Sequence, residues 1–193
     1  MNFRFFALLS RMRFIARWSL MRNSLSENVQ EHSHTVAVIA HALATIGRAK
    51  FDKAIDPNVV ATAALFHDAS EIFTGDLPTP VKYLNTDLQT AYQQVEDLAN
   101  QKLVSLLPEF LRESYLPLLT DVPEDVRVYI KAADRLAAYI KCLEELRAGN
   151  DEFKTAKKEI LHSITKNAMP ETQYFLDHFV PAFHLNLDEL NLS

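Results

Sequence analysis

Pro57-Asn-Val-Val-Ala-Thr-Ala-Ala-Leu-Phe-His-Asp-Ala-Ser-Glu-Ile-Phe-Thr-Gly75 is the stretch on which the reading of the fold turns. Proline suits the first turn of a helix, Asp56 before it is a ready N-cap, and Gly75 is a natural stop. The segment therefore predicts one helix from about 57 to 73. Within it, Val60, Ala64, His67, Asp68 and Glu71 fall at i, i+4, i+7, i+8 and i+11, a single face. Small or apolar residues followed by three ionisable ones share a stripe that should point inward. A buried carboxylate without a partner is very unfavourable, so the cluster demands a cation or a hydrogen-bond network. His67 and Asp68 diverge by about 100° on a regular helix, yet can converge on one ion lying between them.

Outward from this stretch the apolar spacing stays helical. Phe5, Leu8, Leu9, Met12 and Ile15 mark one face of a first helix, and a looser stretch, 19–27, follows. Val29, His32, Val36, Ile39 and Leu43 form the stripe of a second helix ending near Gly47. His32 lies on that stripe, whereas His34 and His41 point elsewhere. A core-facing histidine is either a structural hydrogen-bonder or a ligand, and His32 is the one histidine of this helix placed for either role. Two prolines stiffen the loop Gly75-Asp-Leu-Pro-Thr-Pro80. Further helices read as 86–106, 108–118, 124–148, 151–166 and 171–180, broken at Pro108, Pro123 and Gly149-Asn150. With no strand pattern, repeat or low-complexity segment, the expectation is one all-α domain over 1–193, a helical bundle with its polar cluster in the core.

Asp134 interrupts an apolar helix surface formed by Ile130, Ala133, Ala137 and Ala138, whose small side chains permit close helix approach. Pairing with Arg135 is poor because adjacent helical residues point apart. His32, His67, Asp68 and Asp134 together make a mixed N/O set suited to Mn, Co, Fe, Zn or Ni rather than Ca. Four protein ligands leave positions open for water and phosphate, as a hydrolytic site requires.

Charge and composition narrow the partners. The chain of 193 residues carries a net charge of −5, with 48% hydrophobic residues and three glycines. Residues 1–26 hold five arginines and no acidic residue, a local basic segment in an acidic chain that suits a small anion better than a nucleic acid. The segment has the composition of a transit peptide, but it runs without a spacer into the motif region. Its amphipathic helix also admits a membrane surface, though packing on the domain explains the apolar face more simply. No apolar run is long enough to span a bilayer, and the cytoplasm is the expected location. A single cysteine, Cys142, excludes an internal disulfide and reads as a helix-surface or core thiol.

An isolated His-Asp pair means little, but the order His…His-Asp…Asp on helices, at gaps of 35 and 66 residues, is the pattern of the HD-domain phosphohydrolases. Longer words narrow the likeness: Arg-Trp-Ser-Leu-Met-Arg-Asn (17–23), Glu-Asn-Val-Gln-Glu-His-Ser (27–33), the run 66–83 containing Gly-Asp-Leu-Pro-Thr-Pro, and 131–146 from Lys-Ala-Ala-Asp-Arg-Leu. Together with Phe-Val-Pro-Ala-Phe-His-Leu near the end, they resemble the bacterial HD-domain 5′-deoxynucleotidases over nearly the whole chain, with no departure at a motif position. The Gly-Asp-Leu-Pro-Thr-Pro word is far more specific than the His-Asp pair.

That resemblance implies a cytoplasmic homodimer hydrolysing deoxyribonucleoside 5′-monophosphates to deoxynucleoside and phosphate, with water activated by a divalent transition metal such as Co or Mn. It implies His32, His67, Asp68 and Asp134 as metal ligands. Substrate contacts would come from Arg17, Trp18, Asp76, Leu77, Pro78 and Thr79, with His32, Asp68 and Asp134 bordering the same site. Arg17 would orient the phosphate, Trp18 would disfavour a 2′-hydroxyl, and Glu71 would be the catalytic carboxylate.

The residue chemistry fits these roles while leaving alternatives open. Arginine offers a planar donor fork for phosphate, although four other arginines lie nearby. Trp18 reads equally as a core anchor. Glu71 could orient or deprotonate water, or hold the tautomer of His67. Asp76 could protonate the leaving oxygen, bind the sugar, or cap a turn. Rival readings are tri- or tetraphosphate cleavage, which asks for more basic residues than Arg17 and Lys82, and a non-catalytic helical binding module.

Overall fold

The computed structural model describes residues 2–82, 84–166 and 168–191, the side chains of Thr79 and Pro80 excepted. Helix α1 (Phe5–Leu9) passes directly into a 3-10 turn, Ser10–Phe14. The expected first helix thus tightens midway and ends at Ile15, whose backbone is extended. Helix α2 (Val29–Phe51) starts from a capping box in which the Asn28 side chain accepts from Glu31 N–H and Glu31 reaches back to Asn28 N–H. Such a cap is worth about 1 kcal/mol. The helix does not end near Gly47 but runs one turn further, to a left-handed Asp52.

The predicted single helix over 57–73 is instead three pieces: α3 (Pro57–Ala64), a run of tight turns over 65–70, and α4 (Glu71–Thr74). Across the turns the amides of Phe66, His67, Ala69, Glu71, Ile72 and Phe73 each bond the carbonyl three residues back. Three residues per turn eclipses i, i+3 and i+6. Phe66, Ala69 and Ile72 therefore stack on one side, against a core of Phe5, Leu103, Val104, Leu107 and Leu119. Asp68 and Glu71 form another column, facing away from it. The tightened backbone is what allows one segment to serve a core and a polar site together.

Short α5 (Thr79–Lys82) follows, then α6 (Thr86–Ser105), α7 (Glu109–Leu119), α8 (Glu124–Arg147), α9 (Lys154–Thr165), α10 (Pro170–His178) and α11 (Leu187–Leu190), with 3-10 turns at Asp151–Phe153 and Val180–His184. Helices α6 to α10 match the expected ones closely, whereas α5, which begins within the expected rigid loop, and α11 were not expected. The larger core joins α2, α3 and α8, among them Val36, Leu43, Val60, Ala133, Leu136 and Ile140, with α9 and α10 adding Ile164 and Phe175. The architecture is all-α; among the described residues the one β-bridge joins Ala16 to Asn28. That bridge, with Arg17 N–H bonding Glu27 O and Val29 N–H bonding Ile15 O, closes residues 17–27 into a loop at the foot of α2. No helix among the described residues is long and apolar enough to cross a membrane.

Candidate metal centre and its basic loop

The first turn of α2 delivers His32, which is fully buried, while His34 and His41 stay exposed, as helical phase requires. The tight turns deliver His67 and Asp68. His32, His67 and Asp68 bring potential ligand atoms within 4.8 Å of one another. Asp134, from the middle of α8, lies outside that trio but places Oδ1 3.0 Å from His32 Nε2. Its side chain is 43% exposed, so the cluster is open to solvent on the α8 side.

His67 carries the decisive geometry. Its Nδ1 lies 2.8 Å from the Ala64 carbonyl oxygen, an atom that only accepts, so Nδ1 bears the proton. Nε2 is then a lone-pair acceptor. It is buried, has no hydrogen-bond partner, and sits 3.1 Å from Asp68 Oδ2, itself an acceptor. Two acceptors so close require a cation or a proton between them. The donor set of imidazole nitrogen and carboxylate oxygen suits a divalent transition metal. The residues fit such an ion.

The electrostatics show the same pull toward positive charge between these groups, whether proton or cation. Burial opposes charge on His67, but Asp68 beside it, aided by Asp134 and the Ala64 carbonyl, leaves its pKa raised. Burial would push Asp68 up, yet His67, His32 and Arg17 hold it far below the usual carboxylate range. Asp134 is likewise lowered: its burial, limited by the exposure on the α8 side, is outweighed by the His32 hydrogen bond. Glu71 behaves oppositely. Burial, then the charges of Asp68 and Asp76, push it up to about 10, and its Oε2 is buried without a partner.

Arg17 borders this cluster, with Nη1 3.5 Å from Asp68 Oδ2 and Nε 3.3 Å from Glu27 Oε2. Burial weakens its charge, but Asp68, Asp134, Asp76 and Glu27 more than restore it and raise its pKa. Trp18 follows in left-handed backbone, φ 58°, a conformation costing an L-residue about 1–2 kcal/mol. Its indole Nε1 donates to Glu27 Oε2 at 3.0 Å, and its ring lies 5.3 Å from that of Phe153. Asp76 follows Gly75, whose φ of +70° favours glycine. Burial, opposed by Arg17, raises the Asp76 pKa.

Leu77 and Pro78 lie half-buried in the same loop, with Pro78 O accepting from Val81 N–H and Lys82 N–H. The side chain of Thr79, like all of Tyr83, lies outside the described residues.

Comparison with known proteins then decides the kinship. The model of the 5′-deoxynucleotidase YfbR-like family matches residues 4–183. The chain belongs to this family. The 5′-deoxynucleotidase of Cronobacter sakazakii is 49% identical over 189 residues, 97% of this chain and 95% of its own. That of Shewanella oneidensis is 48% identical over 188 residues, 96% of each. Among solved structures, an HD-domain phosphohydrolase from Listeria innocua superimposes with a TM-score of 0.80 at 26% identity, covering 93% of this chain and 88% of its own. The cyanophage S-2L HD phosphohydrolase bound to dA and one catalytic Zn2+ ion shares the fold, with a TM-score of 0.60 at 17% identity, covering 91% and 95%. The chain is a 5′-deoxynucleotidase of the HD-domain phosphohydrolase type, as the sequence words implied.

Two features of the site were missed in the sequence. Glu27, which touches both Arg17 and Trp18, is placed by the sequence only at the end of the looser stretch 19–27 and given no role. A signal existed: it is the first acidic residue after five arginines. Lys141 and Glu145, an i,i+4 pair on α8 to which the sequence reading gives no role, are buried together. Glu145 accepts from the amides of Ser24 and Leu25, and Lys141 donates to Leu25 O, so the pair pins the far side of the 17–27 loop.

Proposed function

We propose that the chain hydrolyses deoxyribonucleoside 5′-monophosphates to deoxynucleoside and phosphate, with His32, His67, Asp68 and Asp134 holding a divalent ion of the Mn or Co type. The single observation that carries the metal reading is the buried His67 Nε2, left as an unpartnered acceptor beside Asp68. When bound, the ion supplies a Lewis acid that activates water and neutralises charge on phosphoryl oxygens.

The remaining chemistry belongs to side chains. Arg17, held by Glu27 and Asp68, offers its guanidinium edge to the phosphate, where charge-assisted bonds are strongest. Glu71 holds or receives a proton at its buried carboxyl. Trp18 packs beside the sugar and crowds a 2′-hydroxyl. Leu77, Pro78 and Thr79 complete the substrate side. Water adds across the P–O5′ bond: its oxygen goes to phosphorus, and the 5′ oxygen leaves with a proton. Asp76, whose charge Arg17 offsets, either delivers that proton or binds the sugar. The reading includes a homodimer of one-domain subunits in the cytoplasm, in keeping with the resemblance and with Cys142, a buried free thiol.

Phosphate release from a panel of deoxy- and ribonucleoside monophosphates across several divalent metals tests this. The expected outcome is metal-dependent release from deoxynucleotides and much less from ribonucleotides. Asp68→Ala should lose the metal, whereas Glu71→Gln should keep it and lose about 100-fold or more in turnover. A metal-loaded chain releasing phosphate from neither class overturns the assignment.

A further inference from the structure

One oxygen sits at the junction of the basic loop. Glu27 Oε2 accepts from Trp18 Nε1 at 3.0 Å and from Arg17 Nε at 3.3 Å. Both neighbours are side chains that the proposed reaction uses, and each has a further contact elsewhere. The Trp18 ring has one aromatic neighbour, Phe153, among the described residues. Arg17 has a second carboxylate, Asp68, pulling its Nη1 toward the histidines. Removing Glu27 would leave Arg17 to the pull of Asp68, Asp134 and Asp76, and the indole N–H without its acceptor.

The bond to Nε engages one edge of the guanidinium. A planar guanidinium held at Nε keeps its remaining donors in a known plane. Glu27 is itself held, because its own carbonyl accepts the Arg17 amide in the closure of the loop.

We infer that Glu27 is a positioning residue for substrate selection: it fixes the Arg17 guanidinium and the Trp18 indole relative to each other, so that phosphate and deoxyribose are recognised as one rigid spacing. A 2′-hydroxyl is rejected only while the indole cannot swing aside. This rests on the roles of Arg17 and Trp18 given above. Glu27 touches no reacting atom and acts only through those two side chains.

Trp18 is the chain's single tryptophan, so intrinsic fluorescence reports this indole directly, without substrate or metal. In Glu27→Ala the emission should shift and acrylamide quenching should rise. Hydrolysis of dAMP and AMP by the metal-loaded protein should show the preference for dAMP reduced about tenfold, the scale of a lost charge-assisted bond. KM for dAMP should rise more than kcat falls. Glu27→Gln keeps an oxygen acceptor for the indole but not the ion pair. It should restore the emission and most of the preference, leaving KM raised. Bound metal should match wild type in both variants.

Trp18→Ala is run alongside. If Trp18→Ala loses the preference while Glu27→Ala keeps wild-type emission and preference, this proposal alone is overturned. If Trp18→Ala keeps the preference, the sugar role of Trp18 falls and this proposal with it. Should Glu27→Ala fail to fold, Glu27→Gln decides, since an unchanged KM for dAMP in that variant overturns the shared anchor.

Discussion

Arg17 stands among four carboxylates, Asp68, Asp134, Asp76 and Glu27, and this crowding defines what it can do. A guanidinium so placed stays charged and keeps its plane. Lysine would keep the charge and lose the fork, so Arg17→Lys is expected to raise KM for a deoxynucleotide about tenfold or more while metal content stays unchanged, as steady-state kinetics and metal analysis would show. At this scale much of the site was legible. His32 was separable from His34 and His41 by helical phase, because a regular helix turns periodicity into direction. Glu27 was not, because a loop residue has no periodicity to read. Its meaning arises only when the Ala16–Asn28 bridge folds it back onto Arg17 and Trp18.

Among the elements, the tight turns between α3 and α4 show where helical reading stops. Nothing in 65–70 is glycine or proline, so no local residue marks the change from four-residue to three-residue bonding. The cause is tertiary: Phe66, Ala69 and Ile72 must reach one core while Asp68 and Glu71 face the other way. Their spacing of three was itself a signal, because a regular helix would fan those apolar residues apart. The close crossing of α2 with α8 and α10 is a second element-scale feature. A Cβ at Gly47 would lie 2.8 Å from the Tyr129 hydroxyl oxygen and 3.4 Å from Glu171 Oε1. Tyr129 is rigid and Glu171 is fully buried, so neither yields cheaply. Gly47→Ala should therefore destabilise the fold by about 1–3 kcal/mol, read as a lower Tm, despite alanine's better helix propensity.

For the molecule as a whole, two cores flank the chain segments that carry the polar cluster, and α8 links the cluster to the loop whose Arg17 borders it. Asp134 and the Lys141–Glu145 pair lie on that one helix, the former beside His32 and the latter under the loop. Burial alone would raise the Glu145 pKa, but Lys141, Asn150 and the amides of Ser24 and Leu25 lower it from 4.5 to about 2. A carboxylate with a depressed folded pKa contributes stability that is complete above 4.5 and is lost as pH falls toward 2. Thermal melts across that window should show this slope, and Glu145→Gln should flatten it at the cost of a lower Tm at neutral pH. The all-α architecture and most helix bounds were legible because α2 and α6 through α10 bury regular apolar stripes. The burial of Lys141 and Glu145 was not, since it depends on a loop more than a hundred residues away in sequence. The closed loop has one more consequence, in the timing of entropy loss. The left-handed Trp18, the Ala16–Asn28 bridge and the Glu145 bonds to Ser24 and Leu25 are made by the chain's own groups and ask nothing of a nucleotide. The conformational freedom of this segment is surrendered once, at folding, so each substrate meets a surface already ordered and spends little of its binding energy on shaping it.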